Sequence, residues 1–204
     1  MPIKYITIER EYGSGGTQIA EEVAKKCGIN YYGREIMEGV AKEQNVSIDD
    51  LEYYEGHVSS SLLYSMFVVN QSQTGDPDLL SNEAKLFVAE TRMIKKLALK
   101  GPALFVGHCA CEALKDQKGV LRVFIRSNDK AKEKRIINDY GISPKDVHSV
   151  CKKNNKRRAN YYAFCTNKKW HDLDNYDLVL NSSKLGIKGC VYILSSIIKK
   201  SNNQ

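Results

Sequence analysis

The chain has 204 residues, 42% hydrophobic and 27% charged, enough for a single well-buried core, and its composition excludes disordered, fibrous and membrane-spanning classes. Its formal charge of +7 is unevenly spread: no acidic residue lies between Asp146 and Asp172, a window holding Lys152, Lys153, Lys156, Arg157, Arg158, Lys168 and Lys169, so this segment suits an anionic ligand. Six cysteines are too few for a secreted disulfide scaffold, and without an apolar leader the expectation is a cytoplasmic protein with free thiols and no membrane partner.

Ile3 to Glu9 alternates β-branched residues and runs into a glycine cluster, after which Ile19, Ala20, Val23 and Ala24 recur at helical spacing over Thr17 to Lys26. Gly28 closes that helix. A short apolar strand, Ile29 to Tyr32, and a helix from Arg34 to Gln44 follow. Ser47-Ile48-Asp49-Asp50 reads as the start of another helix. Ser59 to Gln71 is apolar enough to pack, Gln71 to Asp78 reads as a loop, and Leu79 to Lys100 as a long helix that Gly101-Pro102 stops.

Ala103 to Val106 and Val120 to Ile125 are buried-strand candidates with a short helix near Cys111 to Leu114 between them. A helical region over Lys130 to Thr166 leads to a last strand, Tyr176 to Asn181, and an amphipathic helix, Gly189 to Lys199. Five short strands separated by helices predict an α/β fold: a three-layer parallel sheet with right-handed crossovers in one domain spanning 1–204.

The chemistry starts at Glu9-Arg10-Glu11-Tyr12-Gly13-Ser14-Gly15-Gly16-Thr17, at the carboxyl end of the first strand, where open parallel sheets bind ligands. Gly13, Ser14, Gly15, Gly16 and Thr17 are the candidate phosphate-binding residues. Glycines let backbone N–H groups turn toward a phosphate, and the following helix adds its positive end. The Thr17 hydroxyl is placed to help hold magnesium. The usual G-x-x-x-x-G-K-[ST] pattern is not met, because Arg10 stands at its first glycine and Gly16 at its lysine. The plainer alternative is a tight strand-to-helix turn.

Ile6 to Gly16 resembles the opening of the cytidylate kinase-like family, a branch of the P-loop kinases whose loop often lacks the lysine. Tyr32-Gly33-Arg34-Glu35-Ile36, Val106-Gly107-His108-Cys109-Ala110 and Asn175 to Ile187 are similar to later segments of that family, in the same order. The resemblance implies a P-loop kinase fold with an acceptor-side helical region over about 33–100 and a lid over about 143–170. It also implies transfer of the terminal phosphoryl group of ATP, with magnesium, to a small phosphorylated acceptor, first of all a nucleoside monophosphate.

By the same resemblance Arg157 and Arg158 are lid arginines that, with Arg10, supply the charge the missing lysine would bring. Arg34 and His108 face the acceptor, and Ser182, Ser183 and Lys184 form a loop on the nucleobase side. Two positions depart from the family: Gly33 replaces an aspartate and His108 an arginine. Cytidylate kinases also carry an Asp-Gly-Arg-Asp run near the third strand, where this chain has Val106-Gly107-His108-Cys109. These departures leave two alternatives, a catalytically weak nucleotide-binding or regulatory protein and a kinase of another small acceptor. The plainer reading of the basic run is a solvated helix face, and a nucleic-acid module is disfavoured. His148, Cys151, Cys165 and His171 have zinc-ligand chemistry but are read as packing and surface residues.

Overall fold

Every second residue of the central strands turns to a different layer, and both layers are apolar. In the computed structural model, which describes residues 2–58 and 80–202, strand β1 (Tyr5–Arg10) sends Ile6 and Ile8 to one face and Tyr5 to the other. Strand β3 (Ala103–Val106) divides its residues likewise, Leu104 and Val106 against Ala103 and Phe105. Strands covered on both sides read as unbroken apolar runs, which is how parallel sheets appear in sequence.

The remaining strands are β2 (Asn30–Tyr32), β4 (Val120–Arg126) and β5 (Leu178–Asn181), and the sheet runs β2-β3-β1-β4-β5, all parallel. Tyr5 to Ile8 face Ala103 to Val106, and Tyr5 to Arg10 face Val120 to Ile125. Five strands were expected, and five are found at those places. The chain reverses its direction of sheet growth beside β1, so the crevice beyond that strand is where a ligand belongs.

Helix α1 (Gly16–Cys27) and the last helix cover one face through Ile19, Val23 and Leu194. Helices α2 (Arg34–Gln44), α3 (Ile48–His57) and α4 (Asn82–Ala98) cover the other through Ile36, Leu51, Leu86 and Ile94. Ser47 caps α3, its hydroxyl accepting from the Asp50 amide at 3.0 Å, and Ser81 caps α4 on Ala84 at 3.2 Å. The long helix therefore begins a few residues after Leu79. The expected packing segment Ser59 to Gln71, and the loop after it through Asp78, lie outside the described residues.

Short α5 (Ala110–Ala113) follows β3, and α6 (Asp129–Asn138) follows β4. Helix α7 (Val147–Thr166) then carries the basic segment. Its last turns are not a free lid: Tyr161, Tyr162, Phe164 and Cys165 are buried with Phe124, Trp170 and Tyr176. Its more exposed first half carries Lys152, Lys153 and Lys156.

The final helix, α8, spans Ser182–Asn202, so Ser182, Ser183 and Lys184 form a helical turn and not the loop expected there. Gly186 explains the difference. It breaks the helix at φ 67° and ψ 166°, a region essentially closed to residues with a Cβ, so the periodicity is readable only beyond it. Among the described residues no helix is long and apolar enough to cross a membrane.

Among the described residues, no atom beyond its chain neighbours and its own helix backbone lies within 4 Å of a Cβ built on Gly186, so a substitution there chiefly tests backbone strain. Gly186→Ala is expected to lower unfolding free energy by about 1–3 kcal/mol, read from urea denaturation midpoints at unchanged slope.

Candidate functional site

The glycine loop is drawn open by bonds to its carbonyl oxygens. Gly13 and Gly15 take φ of 74° and 77°. Arg135 of α6 donates to the Gly13 carbonyl at 2.5 Å, and the Ser182 hydroxyl to the Ser14 carbonyl at 2.6 Å. A trans peptide points its N–H opposite its carbonyl, so fixing the Ser14 carbonyl toward α8 aims the Gly15 amide the other way, into a cavity of about 260 Å³ over the loop. Ser14 is fully buried, its hydroxyl accepting from Gly16 N at 3.3 Å. The first-turn amides of α1, which helix geometry leaves without intrahelical partners, border the same space.

The absent lysine has a steric cause. A Cβ at Gly16 would stand 2.5 Å from the Arg10 Cβ and 2.9 Å from its Cγ, distances that force the stem to shift. The arginine stem fills the room a lysine would need. Beyond it the guanidinium runs past Gly107, where an added Cβ would collide with it, and its Nε is buried with no partner among the described residues.

Three residues of α7 at i, i+4 and i+7 lie on one helix face and grip the backbone just before the glycines. Asn155 accepts from the Tyr12 amide at 2.7 Å, Cys151 Sγ lies 3.9 Å from the Tyr12 carbonyl, and Arg158 donates to the Arg10 carbonyl at 2.9 Å. The Arg158 guanidinium also sits 5.6 Å from the Tyr12 ring centroid. Burial, and then the charge of Arg10, hold Arg158 down at about 9, while Glu9 and Glu55 oppose the shift. Two neighbouring cations with reduced hydration favour an anion between them.

Arg157 turns the other way, donating to the Glu52 carbonyl at 3.0 Å and lying against Gly56. It lines a second and larger cleft of about 510 Å³ between α2, α3 and α7. Arg34 is at that cleft's mouth, paired with Glu38 at 3.2 Å and well exposed. Gly33, where the family has an aspartate, is tight: a Cβ would stand 2.7 Å from the Tyr31 hydroxyl, so the Tyr31 ring would have to shift to admit a side chain. Arg10, Thr17 and Arg158 line both spaces.

His108 enters the large cleft on a constrained turn: Gly107, His108 and Cys109 all have positive φ, at 75°, 53° and 49°. Its Nδ1 lies 2.7 Å from Oε1 of Glu90, a carboxyl fully buried in α4, and the Tyr161 hydroxyl donates to the other Glu90 oxygen. Burial opposes the imidazole charge, but Glu90, by charge and hydrogen bond, and then Glu55 raise His108 to about 9. Burial raises Glu90 as well, so the pair retains a proton that the unfolded chain gives up. Glu9, at the end of β1, is buried against Trp170 Nε1 at 3.0 Å. Its carboxyl is raised by burial, which outweighs Arg10 and that hydrogen bond.

Arg10, Gly13, Gly15, Gly16, Thr17 and Arg158 therefore come together at the small cavity, with Ser14 buried behind the loop, and Arg34, His108 and Arg157 at the large one. Ser182 braces the glycine loop, and Ser183 is held in its helical turn by Asn181 and accepts from Asn128 N. The sequence reading missed Arg135, Asn155, Glu90 and the Glu9–Trp170 pair. Glu90 alone left a trace, as an acidic residue among the apolar positions of α4.

The description of the family model that matches residues 5–184 is the cytidylate kinase-like family. An uncharacterized protein from Eubacterium ventriosum is 24% identical, with a TM-score of 0.71 covering 96% of this chain and 98% of its own. Shikimate kinase from Bacteroides thetaiotaomicron is 12% identical with a TM-score of 0.53, covering 96% and 98%. Shikimate kinase from Acinetobacter baumannii in complex with shikimate is 10% identical with a TM-score of 0.52, covering 99% and 96%. These likenesses show the fold of P-loop kinases. No curated protein sequence matches the chain.

Two outcomes are expected here. Gly16→Lys, which puts the usual residue at that position, is expected to lower unfolding free energy by about 1–3 kcal/mol because Arg10 and the loop must move, and Arg10→Gly, which removes the clashing Cβ, makes Gly16→Lys less costly. Urea denaturation of the single and double variants checks both, and a Gly16→Lys chain as stable as the parent contradicts the steric account. The second concerns pH. The unfolded chain releases the histidine proton near 6.5 and the folded pair holds it to about 9, so the pair's stabilisation is full below 6.5 and disappears as pH rises through 9. The melting temperature should fall over that window, and His108→Gln should flatten the fall.

Proposed function

Since this chain belongs to the cytidylate kinase-like family, we propose that it transfers the terminal phosphoryl group of ATP to a small phosphorylated acceptor, with a nucleoside monophosphate as the acceptor class. The observation that carries the reading is that the loop cavity and the larger cleft meet at Arg10, Thr17 and Arg158. Phosphoryl transfer asks a protein for in-line positioning and for cations on the transferring group, and little else. A donor space and an acceptor space that share a wall of two guanidinium groups and a hydroxyl supply those needs.

In this reading the amides of Gly15 and Thr17 hold the donor phosphates, and Arg10 takes the place of the loop lysine. Arg158 faces the transferring phosphoryl group from the opposite side. Arg34, His108 and Arg157 hold the acceptor's phosphate, while the Ser182–Lys184 turn, beside the glycine loop, borders the donor base. Thr17 and, one turn on, Glu21 offer the hard oxygen atoms magnesium takes. Among the described residues no group of three His, Cys, Asp or Glu side chains could hold a metal, so these oxygens and the phosphates would have to share it. Bound there, magnesium neutralises phosphate charge. All six cysteines are free, which fits a cytoplasmic location.

A second reading, a nucleotide-binding protein with weak transfer, is favoured by the closed position at Gly16, because Arg10 is less free to follow the moving phosphoryl group than a lysine would be. A coupled assay with ATP, magnesium and a panel of nucleoside monophosphates separates the two. Turnover with at least one acceptor is expected, with Arg158→Ala lowering kcat about 10³-fold and Arg157→Ala acting mainly on acceptor KM. Tight ATP binding with no turnover on any acceptor selects the second reading.

A further inference from the structure

Glu55 has no part in the transfer just described, yet its carboxylate lies inside the acceptor cleft. It sits in the last turns of α3, 28% exposed, with Oε1 3.8 Å from Nδ1 of His108. It also lines the cleft that holds Arg10, Arg157 and Arg158, and a polar recess of about 20 Å³ behind it, which Arg10, Arg158 and His108 border too. The charges facing it come from four elements: Arg10 of β1, His108 after β3, Arg158 of α7 and, behind His108, Glu90 of α4.

His108 does not need this second carboxylate. Glu90 holds it at 2.7 Å, and Tyr161 occupies the other Glu90 oxygen. What Glu55 adds is negative charge toward Arg158 and Arg10, whose like charges oppose each other at the junction. A carboxylate on a half-exposed helix end can withdraw when something better arrives.

We propose that Glu55 is a specificity-determining residue, its carboxylate holding the anion position between His108 and the arginines so that a phosphomonoester dianion displaces it and a carboxylate-bearing acceptor does not. The proposal rests on the kinase reading for the identity of the cleft. A free carboxylate that replaces Glu55 exchanges one negative charge for one, and must do so against a group tethered at roughly millimolar effective concentration. A dianion brings a second charge into a site of lowered dielectric lined by cations, where each charge counts for more than in water. Glu55 thus selects by charge, which suits a phosphate acceptor and disfavours a hydroxy acid.

The test compares the full chain with Glu55→Gln and with Glu55→Asp, whose shorter side chain draws the carboxylate back from His108. Inorganic phosphate, cytidine monophosphate and acetate are titrated calorimetrically, and a non-hydrolysable ATP analogue is titrated into the same samples. Glu55→Gln is expected to bind phosphate and cytidine monophosphate about tenfold more tightly than the parent chain, and to gain acetate binding that the parent lacks. Glu55→Asp should fall between, and the gain in affinity for the ATP analogue, whose phosphates reach Arg10 and Arg158 from the loop side, should be smaller than the gain for phosphate in both. Phosphate affinity that is unchanged, weakened or undetectable in Glu55→Gln overturns the proposal. So does a collapse of turnover at unchanged anion affinity, which would make Glu55 a base for a hydroxyl acceptor. Failure of the parent chain to bind the ATP analogue brings down the kinase reading instead.

Discussion

The close approach of the Arg10 stem to Gly16 is the constraint from which the rest of the site follows. A Cβ at position 16 would stand 2.5 Å from the Arg10 Cβ, so the loop can have a long cation at its base or one at its end, but not both. With the stem fixed there, the guanidinium passes Gly107 at the end of β3, where an added Cβ would push its end aside. The turn through His108 and Cys109 follows directly and carries His108 to Glu90. The Arg10 carbonyl, in turn, is where Arg158 anchors α7. One side chain thereby couples the glycine loop, the turn through His108 and the basic helix.

The fold was legible because each strand obeys the two-layer rule in its own residues. Ile6, Ile8, Leu104 and Val106 face one apolar layer and Tyr5, Ala103 and Phe105 the other, and glycines or short polar turns separate strands from helices. Where the reading failed, the local signal was misleading. Gly186 interrupts α8 with a conformation only glycine takes, so Ser182 to Leu185 look like a loop although they form a helical turn. Helix α7 carries so many cations in its first half that it suggests a mobile surface element. Tyr161, Tyr162, Phe164 and Cys165, which tie its second half into the interior, form one short apolar run at the end of an otherwise polar helix and not a stripe along it.

The site was legible where the chain itself is continuous and obscure where it is assembled across distance. Gly13 to Thr17 are contiguous and sit at a strand end, so their place beside a cavity can be read from position and composition. The bonds that hold them open come from Arg135 and Ser182, more than a hundred residues away, and nothing in the spacing of those residues points to the loop. Asn155 and Glu90 are of the same kind. The sequence does show an unpaired-looking excess of positive charge near Arg157 and Arg158, but not that the two neighbours diverge. Successive helical residues point about 100° apart, which sends Arg158 to the loop base and Arg157 to α3.

That divergence changes what the missing lysine means. A lysine at the loop's end would bring one flexible charge to the phosphates from within the donor loop. Here the charge comes from two guanidiniums fixed on separate elements, one in the strand below the loop and one in the helix across it, each presenting planar, directional donors. Their mutual repulsion and partial burial act against the folded state, and Glu9 and Glu55 offset it only in part, since burial also pushes Glu9 toward its neutral form. An anion between the arginines would therefore stabilise the arrangement. On this electrostatic ground the affinity of the loop for an anion and the closeness of α7 to it depend on the same charge balance.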